Sequence, residues 1–239
     1  MPDPLFADPR LAPLYDAFDD ERSDLIAYLR IAEELGAHHV LDVGCGTGCL
    51  ALLLTRSGRR VTGVDPAEAS LQVARAKPGA GSVTWLHGDA TSLPRLDADL
   101  AVMTGNVAQV FLTDDDWTAT LQRIRQALRK NGHLVFETRR PDYRAWEEWE
   151  ADTSVHVRDV AGFGLVERRT VVTDVSLPYV SFRHTYTFPD ETVLTSDSTL
   201  RFRDRDEVED TLAANGFSTL DVRQAPDRPG REYVFLARR

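Results

Sequence analysis

The 239-residue sequence predicts an α/β fold, a mainly parallel sheet wound with helices, into which an antiparallel β meander is inserted. Three observations predict it. Apolar runs of strand length alternate with helix-length amphipathic segments from residue 25 to residue 138, the rhythm of a parallel sheet with right-handed crossovers. After Pro141 the rhythm changes to short alternating segments with no helix between them, which is the pattern of a meander. A capped helical segment and two strand-like segments then close the chain.

The elements follow in order. Leu25, Tyr28, Leu29, Ala32 and Leu35 have helical spacing and end at Gly36. Val40, Leu41 and Val43 read as a strand buried on both faces. Gly44, Gly46 and Gly48 break that run, and a helix containing Leu50, Leu52, Leu53 and Leu54 follows, closed by Gly58. "RRVTGVD" (59–65) is a second buried strand, and "PAEASLQVARAK" (66–77) a helix with Pro66 at its start. "SVTWLHGD" (82–89) and "LDADLAVMT" (96–104) are the third and fourth strands. The segment 113–132 is predicted as one helix, with Trp117, Leu121, Ile124 and Leu128 on one face, Thr113 as cap and Gly132 as stop. "HLVFET" (133–138) is the fifth strand. The meander comprises "SVHVRDV", "GLVERRTVVTDVS", "YVSFRHTYTF" and "TVLTSDSTLRF", with turns at 161–164 and 188–191. Asp204 caps the last helix, Glu207 occupies its third position and Gly216 follows its end. The resulting division is a main domain, 1–150 and 203–239, and an inserted β subdomain, 151–202.

Composition narrows the function. The hydrophobic fraction of 42% supports a sizeable core. No apolar run approaches the roughly 20 residues of a membrane span, and the N-terminus lacks the pattern of a signal peptide. Cys45 and Cys49 are the only cysteines, which excludes a disulfide framework and makes a cytoplasmic location the expectation. They lack further ligands nearby, so no metal site is expected. The net charge is −10, with no basic run to track phosphates, so a nucleic-acid partner is disfavoured.

Strand, glycine turn and helix together aim bare backbone and helix N–H groups at a ligand, which points to a nucleotide-like cofactor. A P-loop would need Gly-Lys-Ser/Thr, whereas Gly48 is followed by Cys49 and Leu50. The dinucleotide fingerprint would need a glycine where Cys49 stands. "LDVGCGTG" (41–48) resembles instead motif I of the class I S-adenosylmethionine-dependent methyltransferases. "HGDATSLP" (87–94), "LRKNGHLVFE" (128–137) and "RFRDRDEVEDTLAANGF" (201–217) are similar to later segments of the same family, so the resemblance spans about residues 36–138 and 200–239.

The resemblance implies a seven-stranded, Rossmann-like methyltransferase sheet with its last strand antiparallel. It implies S-adenosylmethionine as cofactor, S-adenosylhomocysteine as product, and methyl transfer to N or O of a small molecule. Carried over residue by residue, the cofactor would meet Asp42, Gly44, Cys45, Gly46 and Gly48 at the turn, and Asp65 and Pro66 after the second strand. Asp65 would accept both ribose hydroxyls, Asp89 the adenine amino group, and the Ala90 N–H would meet a ring nitrogen. Thr104 and Asn106 lie where the fourth strand opens onto the reacting methyl. "LAPLYDAF" (11–18) resembles the segment that folds over the cofactor, which would bring Tyr15 near the sulfonium or carboxylate; the alternative is that Tyr15 only packs a helix.

Methyl transfer requires alignment more than acid–base groups, so the lack of a triad is no objection. Asn106 is the best-placed polar candidate for the acceptor, unless it is only a turn residue. Val180, Phe182, His184, Tyr186 and Phe188 share one face of a meander strand, and His184 there is either a general base or a structural histidine. Glu137 either faces the site or is solvated at a strand end. Tyr143, Trp146 and Trp149 form either an acceptor cage or a helix packing face. The meander is read as a wall of the acceptor site, or as the contact of a homodimer. Two other functions remain open: a non-catalytic S-adenosylmethionine-binding regulator, and a nicotinamide-dependent dehydrogenase.

Overall fold

The computed structural model describes residues 1–19 and 22–239. Three helices come first: α1 (Pro4–Ala7), α2 (Leu14–Phe18) and α3 (Asp24–Glu34). Then strands and helices alternate through β1 (His39–Val43), α4 (Cys49–Arg56), β2 (Arg60–Asp65), α5 (Glu68–Ala76), β3 (Val83–His87), β4 (Ala98–Met103), α6 (Asp114–Ala127) and β5 (Leu128–Arg139). A short α7 (Ala145–Ala151) leads into β6 (His156–Val160), β7 (Gly164–Ser176), β8 (Tyr179–Thr187) and β9 (Val193–Arg201). The chain closes with α8 (Arg205–Ala214), β10 (Ser218–Gln224) and β11 (Glu232–Arg238).

Seven strands form one sheet in the order β10-β11-β5-β4-β1-β2-β3, and β6 to β9 form a second, antiparallel sheet. β1 runs parallel to both β2 and β4, while β11 runs antiparallel to β5. The order reverses direction between β1 and β4, and an open sheet binds ligands at the carboxyl side of such a switch point. Apolar side chains pack on both faces. Leu41, Met103, Trp117, Phe136 and Phe235 belong to one cluster, and Val40, Leu50, Leu100, Val102 and Leu236 to the other. Trp117 meets Phe136 edge-on at 5.5 Å, and Phe136 stacks on Phe235 at 5.2 Å. Each such pair contributes about 0.5–1.5 kcal/mol beyond area burial, which ties α6, β5 and β11 together.

Two elements differ from the sequence expectation: α5 begins only at Glu68, past Pro66, and α6 ends early. The Thr113 hydroxyl caps α6 by accepting the Asp116 N–H, and Asp114, Asp115 and Asp116 suit its positive end. The helix stops at Ala127, however, and Gly132 lies inside β5. Leu128 turns extended because it pairs with Ala98 of β4, and an irregularity absorbs residues 129–132 before His133 pairs with Leu100. Cross-strand pairing outweighs the helical spacing of Leu128.

The second sheet is not a free-standing unit. Val180, Phe182, His184, Tyr186 and Phe188 do share one face. Its Val160, Val166, Tyr186 and Phe188 pack on Leu5, Leu11, Leu14 and Phe18 of the N-terminal segment. Trp146 and Trp149 of α7 pack on Phe202 and Phe182. Ser196 Oγ accepts the Leu5 N–H at 2.9 Å, and the Ser198 hydroxyl donates to Asp3 at 2.6 Å. Phe6 O also accepts the Ser70 hydroxyl of α5 at 2.9 Å, so the N-terminal segment links the second sheet to the helices of the first.

Candidate active site

The turn after β1 is held by its neighbour strand. Gly44 N–H and Cys45 N–H both donate to Val64 O of β2, at 2.9 and 3.1 Å. Gly46 N–H donates to Asp65 Oδ2 at 2.8 Å, and Ala67 N–H to Asp65 Oδ1 at 2.8 Å. Burial raises the Asp65 carboxyl above its usual range against those two donors. The three glycines serve different ends. A Cβ on Gly44 would lie 2.6 Å from Val107 Cγ2, and one on Gly48 would lie 2.5 Å from Trp85 Cη2, so these two admit side chains of the fold. Gly46 has φ +52°, and among the described residues, its chain neighbours aside, no atom lies within 4 Å of an added Cβ, so it borders open space there. Cys45 points inward, with Sγ against Gly63 and its thiol pushed up by burial.

Beneath this turn lies Asp42, only 1% exposed, and among the described residues neither of its carboxylate oxygens has a hydrogen-bond partner. Burial, then the charge of Asp65, raises it to about 7. Beyond β2, Pro66 O faces His87 Nε2 at 3.2 Å. Beyond β3, exposed Asp89 uses Oδ1 to accept from Thr91 N–H and Ser92 N–H, and Ala90 is buried in the core.

The turn after β4 is built differently. Thr104 is half-buried, and Gly105 and Asn106 both take positive φ, +68° and +61°. Their N–H groups donate to one oxygen, Glu137 Oε1, at 2.7 and 3.2 Å. Glu137 at the end of β5 is 2% exposed, so it is not solvated, and Tyr28 of α3 donates to its other oxygen. The Asn106 amide donates to Glu232 Oε1 at 3.1 Å, and among the described residues Asn106 Oδ1 has no partner. That Oδ1 is the one free polar atom of the Asn106 side chain.

The N-terminal segment straps these turns. Thr47 Oγ1 donates to Asp16 at 2.5 Å, and Lys77 pairs with the same carboxylate. Tyr15, its hydroxyl deeply buried, reaches Gly105, where an added Cβ would lie 3.7 Å from Tyr15 Oη. A cavity of about 290 Å³ opens here, lined by Tyr15, Asp19, Arg22, Asp24, Gly105, Asn106, Arg139, Asp227 and Arg228. Arg22 chelates Asp24, and Arg228 pairs with Asp227 and Glu232. Arg139 stacks on Trp149 at 5.1 Å, and its nearest carboxylate oxygen, on Glu232, is 3.9 Å away. The sequence reading missed these arginines. They sit in loops and at a strand end, where an arginine carries no periodic signal, and only the fold converges them.

His184 lies between Phe182 and Tyr186 on the inner face of the second sheet, with Nδ1 2.9 Å from Thr170 Oγ1. Burial and the charge of Arg168 lower it to about 4, so it is neutral at pH 7 and a weak proton acceptor. Trp146 and Trp149 form a packing face, and Tyr143 stands apart from it, under Arg231. Among the described residues no cluster of His, Cys, Asp and Glu could hold a metal.

The residues present fit S-adenosylmethionine. The unpartnered Asp42 suits a cationic amino acid moiety, open space lies over Gly46, and Asp65 and Asp89 stand at the ends of adjacent strands. The comparisons with known proteins agree. A family model described as "Methyltransferase domain" matches residues 40–132. A ubiquinone/menaquinone biosynthesis C-methyltransferase of Rubrivivax gelatinosus is 32% identical over 108 residues, which cover 45% of this chain and 42% of that protein. The chain thus spans less than half the length of that relative. Among solved structures, a sugar N-methyltransferase from Streptoalloteichus superposes with a TM-score of 0.79 at 18% identity, covering 94% of this chain and 92% of the other. An amino pentose methyltransferase from Micromonospora echinaspora, solved with S-adenosylmethionine bound, gives 0.66 at 23%, covering 92% and 90%. Motif, strand order and the ends of β1, β2 and β3 agree with the methyltransferase-domain match over residues 40–132, and the fold is that of the solved S-adenosylmethionine-dependent methyltransferases.

Proposed function

We propose that the protein transfers the methyl group of S-adenosylmethionine to a nitrogen or oxygen of a polar small molecule. The carrying observation is the adjacency of two features: the Asp42–Gly46–Asp65 cradle, and the polar cavity floored by Gly105 and Asn106 at the next strand of the switch point. When bound, the cofactor supplies an electrophilic methyl on a sulfonium, whose departure needs no acid. This chain's own residues then bind, orient and exclude water. Asp42 offers unpaired carboxylate oxygens to the cofactor's positive end. The strap through Tyr15 and Asp16 covers the turn. Holding nucleophile and methyl in line supplies roughly 7–11 kcal/mol of the barrier reduction.

The acceptor lining holds three carboxylates and three arginines, which favours a hydroxyl- or amine-bearing compound over an apolar one. The sugar-amine neighbours support that class. With a net charge of −10, nucleic acid is not the proposed partner. No helix among the described residues is long and apolar enough to cross a membrane. The inner face of the second sheet is proposed as a wall on the acceptor side, and its outer face, where Leu165 and Val171 are exposed, as the homodimer contact.

Calorimetry with S-adenosylhomocysteine and with NAD tests the cofactor. Micromolar or tighter binding of the first and none of the second is expected, and the reverse result would remove the proposal. Isotope-labelled S-adenosylmethionine, incubated with the protein and a panel of amino sugars and other hydroxylated amines, then tests transfer. Tight cofactor binding with no labelled product would favour a non-catalytic regulator.

A further inference from the structure

The wall of the acceptor cavity depends on a group that does not touch the cavity. Gly105 and Asn106 line it, and both hold left-handed backbone. Gly105 does so at little cost, whereas a non-glycine residue in that region needs support from its surroundings. Here one carboxylate holds both backbone N–H groups. Glu137 Oε1 receives both N–H groups, at 2.7 and 3.2 Å, while the Tyr28 hydroxyl holds Oε2. Glu137 is 2% exposed. It lies behind the turn, lining a groove of about 480 Å³ between α3 and the β10–β11 loop that shares Asp24 and Asp227 with the acceptor cavity, and it is not among the residues lining that cavity.

We infer that Glu137 is a positioning residue for methyl transfer, its carboxylate fixing the Gly105–Asn106 turn against which the acceptor is aligned. The inference rests on the transferase reading above. Three groups face Glu137: Tyr28 from α3, Glu232 from β11 and Arg228 from the β10–β11 loop. Arg139 follows two residues later on its own strand. Glu232 also accepts from the Asn106 side chain, so two carboxylates grip one turn, one by its backbone and one by its amide. An ionised acceptor bonds N–H groups roughly twice as strongly as a neutral one. The turn is therefore held best when Glu137 is charged. Burial and the Glu232 charge place that change at about 7, within the working range of an enzyme.

The test uses the full chain, Glu137→Gln and Tyr28→Phe. In ¹⁵N-correlated spectra of the wild-type protein, the Gly105 and Asn106 amide signals should titrate together near neutral pH. Glu137→Gln should abolish that titration. With the best-methylated amine of the labelled panel as acceptor, Glu137→Gln should lower kcat at least tenfold. KM and S-adenosylhomocysteine affinity should stay within threefold, and the rise of kcat through neutral pH should flatten. Tyr28→Phe keeps the carboxylate and should retain the pH-dependent rise. Amide titrations that persist unchanged in Glu137→Gln, or a kcat–pH profile identical to wild type, would overturn the inference. A wild-type chain that binds S-adenosylhomocysteine but methylates nothing would instead remove the transferase reading, and the amide titration would still report whether Glu137 grips the turn.

Discussion

The turns after β1 and β4 lie side by side, touch through Gly44 and Val107, and each sits above a buried carboxylate raised to about 7. They are held in opposite ways. The first is tied by backbone bonds to Val64 O and by Asp65, which follow it within twenty-one residues, and Asp42 beneath it is left without a partner. The second is tied by Glu137, thirty-one residues away from Asn106, and that carboxylate is engaged by three donors. One buried carboxylate is therefore left unpaired, and the other is engaged in holding a turn.

Removing the unpaired charge should have the largest effect. The Asp42 carboxyl has an ordinary value of 3.8 and a folded value of about 7. The folded state then holds the extra proton, so the stability associated with Asp42 is present in full below about 4 and is lost as pH rises through 7. At pH 8 Asp42→Asn should stabilise the cofactor-free protein by about 2–4 kcal/mol, while the advantage should vanish near pH 4. Thermal unfolding at the two pH values checks this, and an equal shift at both would show that the charge is not the cause.

Asp65 comes next. Its charge-assisted bonds are each worth about 1.5–3 kcal/mol. Asp65→Ala should weaken S-adenosylhomocysteine binding roughly ten- to a hundredfold with an unchanged circular dichroism spectrum. Unaltered affinity by calorimetry would withdraw its role at the cofactor.

Two glycines in one turn sharpen the contrast further. Gly44→Ala places a methyl 2.6 Å from Val107 at φ +71° and should cost about 1–3 kcal/mol of stability. Gly46→Ala meets nothing in the fold, so it should cost about 1 kcal/mol or less and act mainly on cofactor affinity. Denaturant unfolding beside calorimetry separates the two, and matching losses in both variants would mean that Gly46 borders no ligand.

The smallest effect on cofactor binding belongs to the second sheet. His184→Ala, and replacement of residues 188–192, should change turnover while leaving S-adenosylhomocysteine affinity within about threefold, a ~0.65 kcal/mol change. Light scattering on the same variants distinguishes a wall from a subunit contact. Untouched turnover with a shift from oligomer to monomer would leave only the contact.

Much of this was legible in the chain itself. The strands around the glycine turn, the course of the meander and the Thr113 and Asp204 caps all follow from periodicity and from local side-chain-to-backbone bonding. Such signals act over a few residues, so sequence spacing carries them. The end of α6 is not legible there because Leu128 has a helical position but a strand partner in Ala98. The place of Glu137 is not legible there either, because its three donors come from residues 28, 105 and 106.

By itself, then, the sequence determined the α/β order, the inserted meander and the glycine turn with its acids, since each is written in residues that are neighbours along the chain. Tertiary structure alone decided which carboxylate stays unpaired, that Arg22, Arg139 and Arg228 converge on one cavity, and that residues 3–18 bridge the two sheets. The physical reason is that charge pairing and desolvation depend on distances in space, and those distances exist only once the strands have taken their order.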